Sequence, residues 1–102
     1  MPYTLIITAA AHKDTSDAYQ YYEKQQKGLG ERFLTSLTIR YSDLSNHPTH
    51  YSFIEEDNLK IFRDCLLYKF PYVVVFEIRK KEVIVYAIHN TYKNPDKKIR
   101  KI

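Results

Sequence analysis

Tyr72-Val73-Val74-Val75-Phe76-Glu77-Ile78-Arg79-Lys80-Lys81-Glu82-Val83-Ile84-Val85-Tyr86-Ala87-Ile88-His89-Asn90 is the stretch that decides the fold. Two β-branched and aromatic runs flank the charged break Arg79-Lys80-Lys81. Such runs favour the pleated conformation, and the break reads as a hairpin turn. Val73-Val74-Val75 and Val83-Ile84-Val85-Tyr86-Ala87-Ile88 are apolar without alternation. Strands of that kind lie inside a sheet and are covered on both faces. The reading therefore places strands at 72–79 and 82–90.

Working backward, the extended pattern continues through 59–68 and 51–55, with Glu55-Glu56-Asp57-Asn58 as the turn between them. Before residue 48 the period becomes helical. Ala11, Thr15, Ala18 and Tyr22 recur at the spacing of one helix face. Thr8 is the expected N-cap of that helix, and Gly28 closes it with Lys24 and Lys27 near its negative end. A second helix runs from about Leu29 to Asn46, with Phe33, Leu34, Leu37, Tyr41 and Leu44 as its buried stripe. Asn46-His47-Pro48 stops it, because proline disfavours helix at the residue before it. Gly28-Leu29-Gly30 is a link so short that the two helices form an antiparallel hairpin. Tyr3-Thr4-Leu5-Ile6-Ile7-Thr8 reads as a first strand.

The order is β-α-α-β-β-β-β. That is an α+β chain with an N-terminal strand, a helical hairpin and a four-stranded, mostly antiparallel sheet. The 102 residues suit one domain, 1–102, ending in a basic tail from about residue 94 to 102.

Composition narrows the chemistry. Two glycines, in no GxGxxG or GxxxxGK[ST] pattern, exclude the usual phosphate-cradling loops. A single cysteine, Cys65, excludes an internal disulfide and a cysteine-based zinc site. The histidines His12, His47, His50 and His89 show no paired metal spacing, and His47 and His50 read as a polar turn. No cofactor or metal is expected. The N-terminal residues carry neither a charged leader nor a long apolar run, so no membrane association is expected and a reduced cytoplasm fits. Residues 1–57 hold 5 lysines and arginines against 8 aspartates and glutamates, a net −3. Residues 58–102 hold 11 against 4, a net +7. A cationic half favours nucleic acid, a ribosome or an acidic protein surface.

Several words stand in a particular order: Tyr21-Tyr22-Glu23-Lys24-Gln25-Gln26, Gly28-Leu29-Gly30-Glu31-Arg32-Phe33-Leu34, Arg63, Lys69-Phe70-Pro71-Tyr72 and Ile88-His89-Asn90-Thr91-Tyr92-Lys93-Asn94-Pro95. Together they resemble the RelE/ParE superfamily of type II toxins, over nearly the whole chain, and are closer to the ParE-like plasmid stabilisation branch. The resemblance implies a growth-inhibiting toxin silenced by a cognate antitoxin in a hetero-oligomer. It implies one of two targets: DNA gyrase, poisoned without known hydrolysis by ParE-like members, or mRNA in the ribosomal A site, cleaved by RelE-like members. A non-toxic basic binding module of the same fold is a third possibility. Two positions depart from the family. Thr15 stands where an aliphatic residue is common. Lys93 stands where arginine is common, which keeps the charge and loses the planar fork.

The candidate catalytic residues are Arg63, His89 and Tyr92. A metal-independent endoribonuclease needs a base, an acid and cations around the crowded phosphate. Arg63 interrupts the apolar run of its strand beside Leu59, Ile61, Cys65 and Leu67. It serves either an anion or antitoxin contact on the concave face or a structural ion pair to Glu23 or Glu77. His89 is expected on the face of Val83, Val85 and Ala87, as a proton shuttle or as a donor to a backbone carbonyl. The candidate target- or antitoxin-binding residues are Arg63, Lys69, Tyr72 and Lys93. Lys69-Phe70-Pro71-Tyr72 resembles an RNA-binding strand only superficially, and Phe70 and Tyr72 read as packing residues. The 10 tyrosines suit an interface, since each buries its ring and keeps a wet hydroxyl.

Overall fold

A computed structural model describes residues 2–93. Strand β1 (Thr4–Ile7) leads into helices α1 (Ala9–Gln25) and α2 (Leu29–Asn46), and a short 3₁₀ turn follows at Pro48–His50. Strands β2 (Phe62–Leu66), β3 (Tyr72–Arg79) and β4 (Glu82–Asn90) complete one four-stranded sheet in the order β1-β4-β3-β2. β1 joins β4 in parallel, and the other two pairings are antiparallel. The α+β architecture is the one the periodicities predict.

Both helices begin as local chemistry requires. Thr8 is extended, and its hydroxyl accepts the Ala11 amide hydrogen at 3.2 Å. Gly28 sits at φ 89, a left-handed conformation that glycine adopts at little cost. The Glu23 carboxylate then accepts the amide hydrogens of Gly28 and Gly30, each at 3.0 Å, satisfying donors the helix itself leaves open. Gly30 is buried against α1. A Cβ there would meet the Tyr19 ring at 2.8 Å and the Tyr19 carbonyl at 2.9 Å. The Glu23 and Gly28-Leu29-Gly30 words are thus the clasp of the helical hairpin.

The hairpin covers one face of the sheet. Ala11, Ala18, Phe33, Leu37 and Leu44 pack on Cys65, Leu67, Val74, Phe76, Val83, Val85 and Ile88. Val73, Val75 and Ala87 point the other way, where Ile54 and Phe62 cover them. The central strands are therefore sealed on both sides. The second cover is a loop instead of a layer of helices.

That loop replaces the strand expected at 51–55. Only Phe53 forms a bridge, to Arg63. The cause is Asp57, whose carboxylate accepts the amide hydrogens of Leu59 at 3.1 Å, Ile61 at 2.8 Å and Phe62 at 2.7 Å. Side-chain bonds of this kind compete with sheet pairing and curl the chain. Lys60 takes φ 56 within the curl, so β2 begins only at Phe62.

Candidate functional site

β1 stops at Ile7, opposite Val85, whereas β4 runs on to Asn90. The uncovered half of the β4 edge faces α1. Thr8 closes the first part: its amide donates to the Val85 carbonyl at 3.1 Å and its hydroxyl to the Tyr86 carbonyl at 3.3 Å. Asp14 closes the next step by accepting the Ile88 amide hydrogen at 3.0 Å. Beyond it lies a groove of about 260 Å³ between α1 and β4, lined by Asp14, Asp17, Ala18, Tyr21, Tyr72, Ile88, Asn90 and Lys93. Asp14, Asp17, Ala18 and Tyr21 follow i, i+3, i+4, i+7 spacing, so one helix face supplies them all. Asp14 and Asp17 were not among the residues expected to form a site. The signal available was two carboxylates one turn apart beside an alanine of the buried stripe.

Tyr72 and Lys93 meet in this groove. The Tyr72 ring forms its floor, edge-on to Phe33 at 5.2 Å and Tyr22 at 6.1 Å. Burial raises the Tyr72 hydroxyl above its ordinary pKa, and burial pushes that of Tyr22 up to about 12. Both phenols therefore stay protonated at neutral pH.

Lys69 and Tyr92 lie together at a neighbouring place. A cavity of about 350 Å³ is lined by Leu66, Leu67, Lys69, Phe70, Pro71, Thr91 and Tyr92. Tyr92 is 84% exposed, yet its backbone is fixed. Its amide donates to the Asn90 side-chain oxygen at 2.9 Å, and Thr91 donates twice to the Pro71 carbonyl, at 2.8 and 3.1 Å.

Arg63 and His89 stand apart from these and from each other. Arg63 pairs with Phe76, a residue of the helix-side core, and His89 pairs with Val73, a residue of the opposite face. The Arg63 guanidinium lies 4.0 Å above the Phe53 ring and donates to the Tyr51 carbonyl at 2.6 Å. Neither expected carboxylate is its partner. Glu23 holds the start of α2, while Glu77 receives the Arg79 guanidinium at 3.1 Å and the Tyr86 hydroxyl at 2.6 Å. His89 is 5% exposed. It does not share a face with Val83 and Val85, because a register shift between Val75 and Phe76 breaks the alternation of β4 after Val85. Ala87 and His89 consequently lie across the sheet from those two valines.

His47 and His50 stack at 4.8 Å in the 3₁₀ turn. Among the described residues no three histidines, cysteines or carboxylates are gathered as metal ligands, and no helix is long and apolar enough to cross a membrane. The basic tail lies outside the described residues.

The fold agrees with what comparison finds. No curated protein matches the chain significantly. Among solved structures, a chain of the chromosomal ParDE toxin–antitoxin system from P. aeruginosa superposes with a TM-score of 0.75 at 16% identity. The match covers 87% of this chain and 96% of that one, and it bears on the fold. The family model for the ParE toxin of the type II toxin–antitoxin system, parDE, matches residues 5–95. By that match, over nearly its whole length, this chain belongs to the ParE toxin family.

Proposed function

We propose that this toxin halts growth by binding DNA gyrase in the cytoplasm, without hydrolysing a substrate, and that a cognate antitoxin silences it. The observation that carries the reading is the separation of Arg63 from His89 by the thickness of the sheet. General acid–base cleavage of RNA needs its acid, base and cation within hydrogen-bond reach of one phosphate. Arg63 is also committed to Phe53 and to the Tyr51 carbonyl. A poison that works by binding needs only a surface. The chain offers that in its exposed tyrosines and in the cationic excess of its second half.

The antitoxin's seat is the groove between α1 and β4. It combines ring and methyl walls (Tyr21, Tyr72, Ala18, Ile88) with two carboxylates (Asp14, Asp17). That chemistry fits a partner segment carrying an apolar anchor and a basic side chain.

The test is induction of the chain alone in bacteria, with replication and translation followed separately in the first minutes. Early loss of replication, together with inhibition of purified gyrase, is the expected outcome. Early collapse of translation with mRNA cut inside ribosomes would instead establish the RelE-like reading and make Arg63, His89 and Tyr92 its site to test. Normal growth would identify a non-toxic module.

A further inference from the structure

We infer that the end of the sheet formed by the β2–β3 loop and the turn after β4 binds a single strand of nucleic acid, with Tyr68 and Tyr92 as base-stacking platforms and Lys69 as a phosphate contact. This goes beyond gyrase binding and stands independently of it.

Three observations carry the inference. First, Tyr68 is 67% and Tyr92 84% exposed. One exposed ring is ordinary, but here one lies in the β2–β3 loop and the other in the turn that Thr91 bonds to that loop at the Pro71 carbonyl. Second, both are presented by fixed backbone. Ser36 donates to the Tyr68 carbonyl at 2.8 Å and Arg40 to the Leu66 carbonyl at 3.0 Å. Asn90 and Thr91 pin the turn that carries Tyr92. Between them Lys69 takes φ 69, an uncommon conformation for a residue with a side chain, and its ammonium lies 5.4 Å from the Tyr68 ring centre. Third, the sign of charge is uniform. The cavity beside Tyr92 is lined by Leu66, Leu67, Lys69, Phe70, Pro71 and Thr91, with no carboxylate. Residues 66–71 and 91–93 contain no aspartate or glutamate.

Rigid rings with cations beside them are the elements of sequence-tolerant single-strand binding. The rings take the π-face of any unpaired base, and the cations hold the phosphates. A duplex hides its base faces, so it satisfies the cations alone. DNA and RNA single strands share this chemistry and are separate arms of the test.

The experiment titrates the purified full chain into fluorescein-labelled oligothymidylate, the corresponding oligouridylate, and a DNA duplex of equal length, at several salt concentrations. Wild-type protein is expected to bind one or both single strands more tightly than the duplex. Tyr68→Ala with Tyr92→Ala weakens single-strand binding by roughly tenfold or more, while the Phe pair stays within about twofold of wild type. Lys69→Gln lowers the salt slope by about 0.7, the value for one phosphate contact. Circular dichroism keeps all variants comparable. No binding by the wild type, equal binding of duplex and single strands, or unchanged affinity in the Ala pair would each overturn the inference. Because the assay contains no gyrase, none of those results bears on the gyrase reading.

Discussion

The Asp14 carboxylate on α1 accepts the Ile88 amide hydrogen of β4 at 3.0 Å, so a side chain completes a sheet edge where the neighbouring strand has run out. An edge left open is a template for unwanted strand pairing. Asp14→Ala leaves that amide without its acceptor and should cost about 2 kcal/mol, as for hydrogen bonds to charged groups. Urea denaturation measures this, and Asp14→Asn should recover part of the loss. A midpoint unchanged in Asp14→Ala would show that the bond contributes nothing.

Gly30→Ala should destabilise the helical hairpin by about 1–3 kcal/mol, since the added methyl meets a backbone carbonyl as well as a ring. Thermal unfolding reads the effect. The exposed neighbour Arg32, changed to alanine, serves as the control and should move the midpoint little.

Asp57 makes the loop over the second face sensitive to acid. The Phe62, Ile61 and Leu59 amides hold its carboxyl below the ordinary pKa. Because the folded value is the lower one, the contribution is complete above the unfolded value. It fades as the pH falls from about 5 through the folded value. Melting temperature against pH should therefore fall more steeply on the acid side for wild type than for Asp57→Asn, which is less stable at neutral pH. Parallel curves would refute the assignment.

Arg63→Ala and His89→Ala should each lower stability by about 1–3 kcal/mol, the first by stranding the Tyr51 carbonyl and the second by opening a space under β4. Growth arrest per folded molecule should persist in both. Complete loss of toxicity with the fold and antitoxin binding intact would point to a chemical step instead.

A saturating antitoxin should raise the melting temperature of the toxin. At a thousand times the Kd the gain is about 4 kcal/mol. Tyr21→Ala together with Asp17→Lys should reduce that gain without greatly changing the free toxin, since Tyr21 is 55% exposed and the ion pair of Asp17 with Lys13 is exposed. An undiminished gain would place the antitoxin elsewhere.

The helices, the β3–β4 hairpin and the family words were legible because periodicity and punctuation state them directly. Thr8 marks a helix end that the structure keeps, whereas Gly28 caps the start of α2, α1 having already ended at Gln25 with Gln26 as its C-cap. Three things were not legible. The 51–55 strand gave way to a loop because one carboxylate, Asp57, outbid the pleat for three amide hydrogens. The face of His89 was misread because the shift at Val75 and Phe76 interrupts a two-residue period that sequence reading must assume is continuous. Asp14 went unnoticed because its task arises from the unequal lengths of two strands, a property of their pairing and of neither strand alone.

Thr4 aligns with Glu82 and Ile7 with Val85, so the first strand made is neighbour to the last. Pairings between such distant parts of a chain are slow to form, since the intervening loop must be closed before the contact rewards it. They are also impossible until the final strand has been synthesised. The sheet therefore cannot close until β4 has been synthesised. Nor can the groove between α1 and β4 exist before that point.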